Sequence, residues 1–246
     1  MALHEMDPAN RFSTRAEAYR RHRPDYPAEL LDKLLESEPE AVADIGAGTG
    51  ISSMQIAERG PIVFAVEPNA AMREAGSLHP GIRWINGTAE STGLGPRSVD
   101  LVACFQAFHW FKPEVAVNEF TRILRPNGAI AAVWNERDPS DGFTAAYGDL
   151  VREISDNHPA ESRVSAVSGL HDSDLLEEVQ EHAFPHAQIL DLDGLIGRAA
   201  STSYLPSSGR PYDDMIQRLK TLFEKWQEEG VVTLRYVSSL YLTSPR

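Results

Sequence analysis

Cysteine is almost missing. Cys104 is the only one in 246 residues, so no internal disulfide can form and nothing demands an oxidising compartment. Long apolar runs are missing too: a stretch such as 130–134 is far short of the ~18 residues that span a bilayer, so no membrane segment is expected. Residues 1–7 include Glu5 and Asp7 and lack the apolar core of a secretory leader, so a cytoplasmic location is expected. Positive charge is scarce, with 23 Lys and Arg against 36 Asp and Glu and a formal net charge of −13. Nucleic-acid binders present a basic face. One basic strip exists, Arg11, Arg15, Arg20, Arg21 and Arg23, but Glu17 interrupts it and a solvated helix face accounts for it. Neither nucleic acid nor a membrane is an expected partner, and a small molecule is the better default.

Motifs for covalent and metal chemistry are missing as well. There is no G-x-S-x-G, H-E-x-x-H or C-x-x-C, and the eight histidines show no ligand spacing, so no metal is expected. Repeats and low-complexity segments are absent. What remains is a chain 42% hydrophobic and long enough to bury one full core, as a monomer or a homodimer.

The first half alternates strand and helix signals. Pro27 opens a helix whose Leu30, Leu31, Leu34 and Leu35 share a face, and it ends near 38–40. Residues 41–45 read as a strand, 51–59 as a helix closed by Gly60, 61–66 as a strand and 69–78 as a helix. Apolar runs at 82–85, 99–105 and 129–134 add strands, with a helix at 113–124 between the last two. Continuous apolar strands alternating with helices predict a doubly wound, mostly parallel α/β sheet. The second half changes character near Arg137. Phe143, Ala146, Tyr147, Leu150, Val151 and Ile154 keep a helical period, as do Tyr212, Met215, Ile216, Leu219, Leu222, Phe223 and Trp226. Val232, Leu234 and Tyr236 alternate as an antiparallel strand would, with 185–192 as its partner.

The strongest motif is Asp44-Ile45-Gly46-Ala47-Gly48-Thr49-Gly50, after a strand and before a helix. Glycines there allow a tight turn and a close approach of ligand to backbone, at the sheet edge where open α/β folds bind ligands. A dinucleotide fingerprint would need glycine where Ile51 stands, and a phosphate loop would need lysine after the last glycine. Glu67 closes the next strand, seventeen residues beyond Gly50, and its carboxylate can accept from both hydroxyls of a ribose. A nucleoside cofactor is the expectation.

With these residues the chain resembles the class I S-adenosylmethionine-dependent methyltransferases. Segments 44–50 and 67 resemble their first two motifs, 86–90 the segment facing the adenine, 100–111 the fourth strand, and 119–128 the helix and turn before the fifth. Phe12, Ala16, Tyr19, Arg23-Pro24 and Tyr26-Pro27 are similar to the cap of small-molecule methyltransferases of the type 11 and trans-aconitate-methyltransferase-like groups. The likeness covers about 10–138 and thins beyond it.

The resemblance implies a Rossmann-like sheet of seven strands with an antiparallel last strand and a helical cap, in one domain over 1–246. Within it, 1–40 would form cap helices, 41–136 the cofactor core, and 137–246 a helical excursion with a closing strand pair. It implies S-adenosyl-L-methionine as cofactor, held by Tyr19, Arg23, Asp44, Gly46, Ala47, Gly48, Gly50, Glu67, Pro68, Thr88, Ala89, Glu90 and Gln106. Asp44 would order the loop and contact the methionine part, a role that sits beside its plainer one of capping the turn. Many relatives carry aspartate at Thr88; a hydroxyl accepts more weakly, so the backbone of Ala89, or Glu90, would share the adenine contact. The implied reaction is in-line transfer of a methyl to a small molecule. His109 is the candidate base for a phenol, amine or carbon acceptor, and Tyr204 a candidate wall of the acceptor pocket. Phe108, Trp110 and Phe111 are either pocket walls or packing for the next helix. Two competing readings stay open: an NAD-dependent oxidoreductase, disfavoured by Ile51, and a regulatory protein that keeps the cofactor site without turnover.

Overall fold

The computed structural model describes residues 16–158 and 164–246, so Arg11, Phe12 and Arg15 lie outside the described residues. The strands are β1 (Ala41–Ile45), β2 (Ile62–Val66), β3 (Ile82–Ile85), β4 (Val99–Phe105), β5 (Leu124–Arg137), β6 (Gln180–Leu190) and β7 (Val232–Thr243). They form one sheet in the order β3-β2-β1-β4-β5-β7-β6. β1 to β5 pair in parallel, and β7 runs antiparallel to both β5 and β6. β1 is buried along its whole length and β4 nearly so, because helices cover both faces of the central strands.

The helices are α1 (Ala16–His22), α2 (Ala28–Leu34), α3 (Ile51–Ala57), α4 (Ala70–Glu74), α5 (Pro113–Ile123), α6 (Gly142–Ile154), α7 (Val164–His171), α8 (Leu192–Ala200) and α9 (Gly209–Trp226). Pro113 occupies the first turn of α5, where its missing N–H costs nothing, and Ala116, Val117, Phe120 and Ile123 go into the core. One core lies on the α5 face of the sheet and a second on the α2 and α3 face. A third core belongs to the cap and gathers Tyr147, Leu195, Met215, Leu219 and Leu234 from α6, α8, α9 and β7. β7 therefore serves two cores: Val232, Leu234 and Tyr236 pack in the cap, and Leu240 packs under the sheet.

Several element boundaries differ from the sequence reading. α3 stops at Ala57, and the chain turns through 58–60 with the Gly60 N–H on the Ala57 carbonyl. α4 ends at Glu74 rather than 78, and Leu78 is 90% exposed. The Trp84 indole lies against Gly76, where a Cβ would come within 2.3 Å of it, and donates to the Ser77 carbonyl, so tertiary packing turns the chain. β5 begins at Leu124, which pairs with Val99, and a register shift before Leu101 absorbs residues 125–128. β6 spans 180–190 rather than 185–192, because the long partner β7 pairs it residue by residue from Val232 to Leu242. Pro185 is tolerated on this edge strand. Asp191 accepts from the Gly194 N–H at 2.7 Å and starts α8 at Leu192.

Candidate active site

The site gathers at the carboxyl ends of β1, β2 and β4, the ligand edge of an open α/β sheet. Gly46 and Ala47 N–H groups bond the Val66 carbonyl at 2.9 and 3.2 Å, which ties the loop after β1 to the end of β2. Gly46 has φ of +71°, and a Cβ there would sit 2.7 Å from that of Ala107. Gly50, at +75°, would bring a Cβ to 2.9 Å from the Trp84 ring. Both positions therefore require glycine.

Glu67 is held by the chain it serves. One oxygen accepts from the Gly48 N–H at 2.9 Å and the other from the Asn69 N–H at 2.8 Å. The residue is 8% exposed, and burial raises its pKa, opposed by these two hydrogen bonds. Asp44 is fully buried below the loop. Ser52 and Ser53 hydroxyls both donate to its Oδ2 at 2.6 Å, while its Oδ1 has no partner. Burial pushes its pKa up to about 6. Gln106 follows β4 with a left-handed backbone, φ +55°, unusual for a residue with a side chain. Its N–H bonds the Val133 carbonyl at 2.8 Å, and its side-chain amide donates to the Asn135 carbonyl at 3.3 Å.

A cleft of about 330 Å³ opens over this edge. Nine of the sequence-derived site residues line it: Tyr19, Gly46, Gly48, Glu67, Pro68, Thr88, Ala89, Glu90 and Gln106. Arg23 and Ala47 line a small cavity next to it, of about 30 Å³, which shares Tyr19, Gly46, Phe105 and Gln106 with the cleft. Asp44, Gly50 and His109 line neither. Asp44 anchors the start of α3 from beneath, as a turn-capping residue does, and Gly50 caps α3 under Trp84. His109 points its Nδ1 at the Trp134 indole N–H, 3.3 Å away, so that nitrogen accepts from the core and does not face the cleft.

Composition and spacing gave no reason to name Met72, Phe105, Ala107 or Lys112 as cleft walls, although all four line it. Trp110 and Phe111 line it too, which favours the wall reading for them; Phe108 is core, 1% exposed. Cys104 is fully buried, and burial raises its thiol pKa well above the usual value.

A third cavity, of about 280 Å³, lies beyond the small one and shares Arg23, Asn135 and Arg198 with it. Tyr204 lines it and stacks on His158 at 4.9 Å. Asn135 fixes the junction: its amide donates to the Asp25 carbonyl at 2.9 Å and accepts from the Ser238 hydroxyl at 2.5 Å.

Residues 43–132 match the family model described as a methyltransferase domain. An uncharacterised methyltransferase of Mycobacterium tuberculosis is 35% identical over 209 residues, 85% of this chain and 83% of that protein. The chain belongs to the class I S-adenosylmethionine-dependent methyltransferases, type 11 group. This methyltransferase is also similar to an uncharacterised methyltransferase of Schizosaccharomyces pombe, 36% identical over 148 residues, 58% of this chain and 59% of that one. Among solved structures, a candidate type II methyltransferase from Anaeromyxobacter dehalogenans has a TM-score of 0.66 at 24% identity, covering 90% of this chain and 96% of that chain. That likeness shows the shared fold. The oxidoreductase and non-catalytic readings give way to the family. The cofactor of this methyltransferase is S-adenosyl-L-methionine. The site fits it: the glycine loop leaves its backbone open, Gly48 would meet only the Tyr19 ring at 3.8 Å if it carried a Cβ, and a buried acid stands at the end of β2.

Proposed function

We propose that this methyltransferase methylates a small-molecule acceptor by direct in-line transfer, without a covalent enzyme intermediate. The observation that carries the reading is the chain of adjoining cavities, a cleft of about 330 Å³ at the glycine loop and a chamber of about 280 Å³ under the cap. Each is of the size that holds a small ligand rather than a macromolecular surface.

Bound in the cleft, S-adenosylmethionine supplies an electrophilic methyl on a cationic sulfur. The carboxylate oxygens of Glu67 keep lone pairs beyond their backbone bonds and would hold the ribose hydroxyls. Thr88, Ala89 and Glu90 would flank the adenine, with Glu90 fixed by the Lys112 N–H at 3.0 Å. Tyr19 and Arg23 would take the methionine carboxylate, and Ala47 and Pro68 would wall its two ends. Gln106 and Asn135 sit between cleft and chamber and would line the path between acceptor and methyl. Asp44 acts on the cofactor through the loop it anchors. The Nδ1 of His109 would not serve as the base, since it accepts from Trp134. Rate enhancement would come from alignment and exclusion of water.

Incubation with cofactor labelled in its methyl group and a metabolite library tests this. Label is expected on a small molecule. Glu67→Ala loses one or two charge-assisted hydrogen bonds of ~1.5–3 kcal/mol each and is expected to weaken S-adenosylhomocysteine binding at least about tenfold by calorimetry. Label appearing only on protein or nucleic acid would overturn the small-molecule reading, and unchanged affinity in Glu67→Ala would remove Glu67 from the site.

A further inference from the structure

We propose that the chamber under the cap is an anion site, and that the acceptor carries a carboxylate or phosphate group held by Arg198. This rests on the reading of a small-molecule acceptor. Arg198 projects from α8 and is 7% exposed. Its Nε donates to the Tyr236 hydroxyl and its Nη1 to that of Thr202, both at 3.2 Å. Arg23 is its neighbour. Arg23 Nη2 donates to the Ser201 carbonyl at 3.2 Å, and its Nε is buried with no hydrogen-bond partner. Neither arginine forms an ion pair with an acidic side chain among the described residues. The groups that act electrostatically on Arg23 are the Arg198 charge and the phenols Tyr19, Tyr236 and Tyr147.

Two guanidinium charges thus line the same two cavities, with no acidic ion-pair partner among the described residues. Guanidinium does not discharge in proteins, and a buried charge without a counter-charge is strongly unfavourable. A ligand anion removes that penalty, and the planar fork of arginine matches carboxylate and phosphate oxygens. Charge counting then requires a second anion. The cofactor's single carboxylate is enough for one of the two arginines, while its ammonium and sulfonium add positive charge of their own. In this proposal the acceptor's anionic group neutralises the other.

The rest of the chamber agrees in sign. Arg137 and Arg152 line it with Arg23 and Arg198, against Glu136 as the one carboxylate among its described lining residues. Arg152 is partly neutralised by Asp149, and Arg137 lies over the Tyr147 ring at 5.7 Å. A chain of net charge −13 has gathered four arginines in one cavity beside its methyl-transfer site. That local reversal of sign is a device for drawing in and orienting a small anion.

Calorimetry on the full chain loaded with S-adenosylhomocysteine tests this, with tricarballylate, inorganic phosphate and the neutral tricarballylamide as probes. At least one anion is expected to bind and the neutral amide not to. The tighter of the two anions tells carboxylate from phosphate. Arg198→Met is expected to weaken that anion at least tenfold while S-adenosylhomocysteine affinity stays within twofold. Absence of binding by both anions, or equal binding by wild type and Arg198→Met, overturns the proposal. A second measurement needs no variant: products of the labelled reaction are separated by anion exchange. Label in the anionic fraction supports the anion site. Label confined to neutral or cationic products, with none of it released by mild alkali as from a methyl ester, overturns it while leaving small-molecule methylation intact. Label on no small molecule defeats that underlying reading instead, and the anion titration then stands by itself.

Discussion

Asp44 shows how one buried side chain sets a pH dependence. Two serine hydroxyls serve its Oδ2, and nothing serves Oδ1, so burial outweighs the hydrogen bonds and its pKa rises to about 6 from 3.8. Between those values the native state binds more protons than the unfolded chain. The stability contributed by this group is fully present below about pH 4 and is lost as pH rises towards 6. A shift of about two units corresponds to ~3 kcal/mol. Asp44→Asn removes that slope, so its stability relative to wild type is expected to improve from pH 4 to 6 by up to that amount. Urea unfolding at both pH values checks this, and parallel pH profiles for the two proteins would show that Asp44 titrates normally.

At the scale of elements, the site depends on a short helix docked from outside the sheet. α1 packs on α8 so closely that a Cβ on Gly197 would fall within 2.5 Å of the His22 ring. The chain leaving α1 carries Arg23 into both cavities, and Tyr19 within α1 reaches the cleft. We expect this segment to tighten when cofactor binds. Hydrogen exchange over 17–26 should slow on adding S-adenosylhomocysteine, more than in α9, whose Met215, Leu219 and Phe223 are already held in the cap core. Tyr19→Phe is expected to cost ~0.5–1.5 kcal/mol of cofactor affinity if its hydroxyl bonds the ligand, and more if it bonds a charged group. Equal exchange with and without ligand, together with wild-type affinity for Tyr19→Phe, would reduce α1 to a packing helix.

For the whole molecule, β7 belongs to the cap core at one end and to the sheet core at the other, so the cap is expected to unfold together with the sheet. Loss of the cap core is therefore expected to loosen the pairing of β5 with β7 from Ile130 to Arg137. A single cooperative unfolding transition is expected, with far-UV circular dichroism and tryptophan fluorescence coincident; two separated transitions would show an independent cap.

Local signals were enough for the parallel half of this protein. Apolar runs, helix starts at Pro27 and Pro113, and the glycine loop with Glu67 placed β1, β2, β4 and the cofactor edge, because each is written in consecutive residues. What depends on distant partners was not legible. α4 is cut short by Trp84, β6 is extended by β7, and the Nδ1 of His109 accepts from the Trp134 indole. The anion chamber is the extreme case. Arg23 and Arg198 are 175 residues apart in an acidic chain, and no period or spacing marks them as a pair. Sequence alone determined the parallel strands and the glycine loop after β1, since strand burial and turn chemistry are local. Only the tertiary structure decided which charges meet under the cap, because burial without a counter-charge is a property of the assembled core.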